Sequence, residues 1–162
     1  MATKTDFTEE EWTRLGRAPV VAGMAISLAD PGGPIETIKE SSAALRTVLE
    51  AAQSGSYGDF VQAVARDFAE KARHRVNPMA GFRPKGPGAG EEVLEELRAV
   101  NALLAERTTP EEREHFREWL KTAAQRAATA AKEGGFLGFR AERVSEREQQ
   151  MLDRLAEVFH AD

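Results

Sequence analysis

The chain contains no cysteine, which excludes disulfide scaffolds, thiolate metal sites, redox dithiols and cysteine nucleophiles in one step. It also lacks any segment that alternates apolar and polar residues with β-branched enrichment, so strands are not expected and the class is all-α. No apolar run approaches the ~20 residues that a membrane span needs, and Met1-Ala2-Thr3-Lys4-Thr5-Asp6 lacks the apolar centre of a signal peptide. A cytoplasmic protein without membrane contact is the simplest reading. A basic excess is missing too: 22 Lys and Arg stand against 27 Asp and Glu, giving a net charge of -5, which disfavours nucleic acid and anionic membrane as general partners. The chain shows no Walker lysine, no nucleophile elbow and no Glu-x-x-His pair, so no cofactor is implied.

What is present is helical. With 162 residues, 41% of them hydrophobic, residues 1–162 form a single domain large enough to bury a core unaided. Seven helices are predicted. Thr8 and Glu11 form a capping box at the start of the first, with Phe7 stapled onto Trp12, and Gly16 and Pro19 end or kink it. Pro19 to Ala29 is apolar nearly all round and reads as a second, central helix, broken by Asp30-Pro31-Gly32-Gly33. A third starts at Pro34 with a stripe of Ile35, Ile38, Leu45, Leu49 and Ala52. Ser56 with Asp59 opens the fourth, whose face carries Phe60, Val61, Val64, Phe68 and Ala72. The fifth runs from about Glu91. Thr109-Pro110-Glu111-Glu112 caps an alanine-rich sixth, and Ser145 with Glu148 caps a seventh.

Two connectors stand out. Residues 73–90 form a Gly/Pro-rich basic loop, with none of the chain's acids between Glu70 and Glu91. Arg73, Arg75, Arg83 and Lys85 there could engage phosphate or a carboxylate-rich partner, with His74 and Phe82 adding polar and stacking contacts; a solvated tether is the plain alternative. The run Glu133-Gly134-Gly135-Phe136-Leu137-Gly138-Phe139-Arg140 joins helices with a glycine pair and three large apolar residues, as a buried connector would. Its Arg140 is a further anion candidate. An acid followed by a glycine pair between two helices occurs both here and at Asp30-Pro31-Gly32-Gly33, a faint internal echo that would fit a pseudo-two-fold repeat.

Ala127-Ala128-Thr129-Ala130-Ala131-Lys132-Glu133-Gly134-Gly135, followed by Val144-Ser145-Glu146-Arg147-Glu148 and an apolar helix, resembles the tellurite-resistance TerB-like all-helical family over about residues 119–159. The resemblance implies a pseudo-symmetric helical fold and an acidic cation site, which here would rest on Glu133 and, through the echo, Asp30. The chain departs from the family's Ala-Asp-Gly turn and has a longer apolar connector. Two acids fall short of the six to eight oxygens calcium takes, so tight cation binding is not expected.

His74, His115 and His160 fall on different elements without metal-ligand spacing. The glutamate pairs sit in first helical turns, where the helix dipole accounts for them. The expected function is accordingly a non-catalytic interaction or regulatory module whose partner is another protein or a second copy. A homodimer would use the small face at Ala124 and Ala128 for close helix contact. The alternatives are a divalent-cation or anionic-ligand protein and, behind it, an acid/base enzyme.

Overall fold

A computed structural model describes residues 1–29, 34–132 and 144–160. Among these there are no strands and six α-helices: α1 (Glu9–Ala29), α2 (Pro34–Ser54), α3 (Gly58–Arg73), α4 (Ala89–Arg107), α5 (Pro110–Lys132) and α6 (Glu146–His160). Single 3-10 turns at Lys4–Asp6 and Gly86–Gly88 precede α1 and α4. The bundle is organised around α1, which touches all five other helices.

The first two predicted helices are one. Pro19 lies inside α1 and is buried, and the helix continues through it. A proline inside a helix removes one hydrogen bond and costs about 3 kcal/mol. Here both flanks are held in the core: Trp12, Leu15 and Ala18 before it, and Val21, Ala22, Ala25 and Ile26 after it, are buried. Burying each large side chain contributes roughly 1.5–3 kcal/mol, so tertiary packing outweighs the local penalty.

The capping boxes form as their spacing requires. The Thr8 amide donates to Glu11 Oε2 at 2.7 Å and the Glu11 amide to Thr8 Oγ1 at 3.2 Å. Thr109 with Glu112 and Ser145 with Glu148 repeat the arrangement. Phe7 meets Trp12 with ring centroids 5.6 Å apart, and Phe60, Phe116 and Trp119 extend the aromatic contacts to α5. The expected cap on α3 does not form. Tyr57 occupies the cap position with no side-chain bond, and Ser56 Oγ instead donates to Ser54 Oγ at 2.7 Å. Ala72 is exposed rather than on the buried face of α3, and α4 begins at Ala89, ahead of Glu91.

On α2 Ala52 is buried as expected, but the leucines of its stripe turn outward. Leu45 and Leu49 are each 40% exposed, whereas Ala44, Val48 and Ala51 are buried. The reason lies on α1. A Cβ placed on Gly23 would sit 2.7 Å from Ala44 Cβ and 3.7 Å from Ala127 Cβ, so α1, α2 and α5 meet where only hydrogen and methyl groups fit. A leucine in place of Ala44 would hold the helices apart. The side chains of Ile35 and Ile38, the turn 30–33 and the connector 133–143 lie outside the described residues, as do the two turns on which the internal echo rests.

Gly23→Ala should therefore destabilise the protein by about 1–3 kcal/mol through overpacking. Gly16 supplies the control, since a Cβ there would meet Phe68 at an ordinary 3.6 Å. Gly16→Ala should leave stability unchanged or raise it by about 0.5–1 kcal/mol through helix propensity, with denaturant midpoints measuring both.

Acidification tests the caps. The Thr8 amide beside Glu11 holds that carboxyl below the usual 4.5. At Glu112 burial pushes upward, but the amides of Thr109 and Ala2 outweigh it and the net shift is again downward from 4.5. Depressed carboxylates contribute stability above their unfolded pKa and lose it as pH falls through the folded value. Tm should hold to about pH 5 and decline toward about pH 3, with a shallower decline in Glu112→Gln.

Candidate functional site: an anchored basic loop

Arg17 interrupts the buried face of α1 as a charged residue only 4% exposed. A guanidinium cannot be left unpaired in such a place without costing several kcal/mol. Glu96 on α4, itself 9% exposed, supplies the counter-charge. Its Oε1 accepts Arg17 Nε at 2.9 Å and Nη2 at 2.5 Å. Arg14, one turn earlier on α1, adds its Nε at 3.3 Å. The pair ties α1 to α4.

The third nitrogen of the same guanidinium reaches the loop between α3 and α4. Arg17 Nη1 donates to the Ala80 carbonyl at 2.8 Å, and Arg17 Cζ lies 5.3 Å from the centre of the Phe82 ring. Met79 and Phe82 are half-buried and pack against the core. Between them the chain makes two hydrogen-bonded turns, Ala80 N to Asn77 O and Phe82 N to Met79 O, both 3.1 Å. Asn77 Oδ1 also accepts the Met79 amide at 3.0 Å. Gly81 has φ +85, as the third position of a type II turn requires. The middle of this segment is therefore a structured turn, although its composition reads as a tether.

The entrance to the loop is fixed as well. At the end of α3 the Val76 amide donates to Lys71 O at 2.9 Å and the Arg75 amide to Ala72 O at 3.1 Å, the paired bonds of a Schellman motif. The residue of that motif that adopts the left-handed conformation is Arg75, with φ 59, alone among the described non-glycine residues. Glycine is the usual occupant, since a side chain there costs about 1 kcal/mol.

On this frame Arg73, His74, Arg75, Arg83 and Lys85 are all exposed. Among the described residues the side chains of Arg73, Arg75, Arg83 and Lys85 make no ion pair or hydrogen bond, and His74 has only a 3.9 Å approach to Glu70. Elsewhere exposed cations are mostly paired: Lys4 with Asp67, Arg98 and Arg154 with Glu91, and Arg126 with Glu50. The loop thus brings four unpaired cations onto one anchored segment. Phe82, expected to offer a stacking surface, is turned inward onto Arg17.

The other sequence candidates are distributed differently. Ala124 and Ala128 are each 1% exposed, so the small face expected to meet a second copy is used inside the bundle, where α1 and α2 approach α5. Asp30, Glu133 and Arg140 lie outside the described residues. Among the described residues no group of three or more His, Asp or Glu is placed to hold a metal ion. A concavity of about 410 Å³ lies beside the starts of α3 and α5. Its Glu112 is already engaged by the amides of Ala2 and Thr109 at 2.8 and 2.9 Å.

Sequence reasoning identified the loop cations and missed the two residues that position them. The available signal was Arg17 itself, flanked by Gly16, Ala18 and Pro19 just before the stretch read as enclosed, and Glu96 between Leu94 and Leu97. A charge on each of two buried faces calls for a partner. Comparisons with protein-family models, curated proteins and solved structures returned no match, so the TerB-like resemblance gains no support from them.

Removing Arg17 leaves Glu96 with only the longer contact from Arg14 at 3.3 Å and the Ala80 carbonyl without its donor. Arg17→Met should cost about 3–5 kcal/mol and free the loop. Trypsin should cleave the variant after Arg75 and Lys85 much faster than the wild type under conditions where both remain folded, read as fragment masses over time.

Proposed function

We propose that this protein is a non-catalytic interaction module of the cytoplasm, and that the α3–α4 loop is the surface it presents to a protein partner. The supporting observation is the combination of a rigid mount with unpaired charge. A solvated tether would need neither the buried Arg17 and Glu96 nor two successive turns. A structural loop would not leave Arg73, Arg75, Arg83 and Lys85 without counter-charges among the described residues in a chain of net charge -5.

The buried polar groups point the same way. Arg17 and Glu96 neutralise each other, Glu148 caps α6, Thr47 donates to Ala43 O, and Arg117 donates to Asn101. Each of these is engaged in holding the bundle, while Trp12 Nε1 and Arg113 Nε are buried without a hydrogen-bond partner among the described residues. No helix among the described residues is long and apolar enough to cross a membrane.

A photo-crosslinking residue in place of Val76, which is 53% exposed, reports on this surface in the native cell. The same residue at Gln125, exposed on α5, serves as the comparison. Discrete protein adducts from position 76 and not from position 125 are expected. Adducts from 125 alone, or from neither position, would contradict the loop as the contact surface.

A further inference from the structure

Resting on the interaction-module reading, we infer that the partner contacts this loop through a carboxylate-rich polypeptide segment. Three of the four unpaired cations are arginines, whose planar forks match carboxylates in two-point contacts. Acidic peptide and nucleic acid both carry the required charge, and three features favour the peptide. Phe82, the aromatic ring within the cationic stretch, is half-buried with one face against Arg17, whereas single-stranded nucleic acid binders use exposed aromatic platforms. Val76 stands 53% exposed among the cations, an apolar contact suited to a peptide side chain. One turn before the loop Glu70 is exposed on α3, and its charge disfavours a long phosphate backbone running on past the loop more than a short acidic segment that ends there.

Arg75 carries the inference furthest. Its backbone occupies the left-handed position where glycine is favoured, and its side chain has no partner among the described residues. Folding alone gives no reason for an arginine here. Strain of this kind, held by surrounding structure, is characteristic of sites that act on something outside the fold. Arg75 is then a residue whose cost in the free protein is offset when an acidic side chain arrives.

Arg75→Gly separates the two roles, since it should raise Tm while weakening the partner contact. The probe is a fluorescein-labelled octaglutamate peptide titrated by anisotropy at low salt, with a thymidine octanucleotide and inorganic phosphate in parallel. Saturable peptide binding is expected, weakened about threefold by Arg75→Gly and about tenfold or more by Arg73→Gln with Arg83→Gln. Arg147→Gln, an exposed arginine on α6, should leave it unchanged. Circular dichroism confirms that each variant is folded. Absence of saturation would overturn the inference, as would equal weakening by Arg147→Gln or tighter binding of the octanucleotide. Should the octaglutamate fail while position 76 still yields protein adducts, the interaction surface stands and the acidic chemistry of its partner does not.

Discussion

The guanidinium of Arg17 is the group on which the arrangement of the loop depends. A positive charge inside a helical bundle requires a counter-charge and donors fully used. Glu96 answers the first requirement from α4, and the Ala80 carbonyl with the Phe82 ring answers the second from the loop. One side chain therefore joins the central helix, an outer helix and the connector between α3 and α4. Hydrophobic residues of similar volume would fill the space and give equal or greater stability. They would not hold the Ala80 carbonyl, so the polar solution is the one that also orients the loop.

That arrangement presupposes a central helix that others can approach. Helix α1 supplies small residues where contact is closest, with Gly23 against Ala44 and Ala127, and large ones where it is looser, such as Trp12, Leu15 and Ile26. The same constraint decides which face α2 buries. Leu45 and Leu49 lie on the outward side, since Ala44 fits against Gly23 and a leucine would not. Ala124 and Ala128 are buried as well, so their small size serves packing within the chain.

Much of the bundle was legible in the sequence because its signals are local. Ser-x-x-Glu and Thr-x-x-Glu spacings fix where α1, α5 and α6 begin, and Phe60, Val61, Val64 and Phe68 of the α3 stripe face inward as their period requires. Reading failed where tertiary packing outweighs local preference. Pro19 predicts a break, yet a helix buried on both sides of the proline runs through it. The loop's glycines and prolines predict a tether, yet a charge sixty residues earlier in the chain holds it. Its cations were visible as composition. Their lack of partners and their common mount required the distant pair Arg17 and Glu96, which no local pattern links.

The functional reading thus rests on order in a segment whose composition favours disorder. Exchange of the Phe82 amide hydrogen, measured by NMR on the native protein, tests that order most directly. The account predicts protection approaching that of the amides of α1 and α4, lost selectively in Arg17→Met while the helix amides stay protected. Exchange of the Phe82 amide at the rate of an unstructured peptide in the wild-type protein would contradict it.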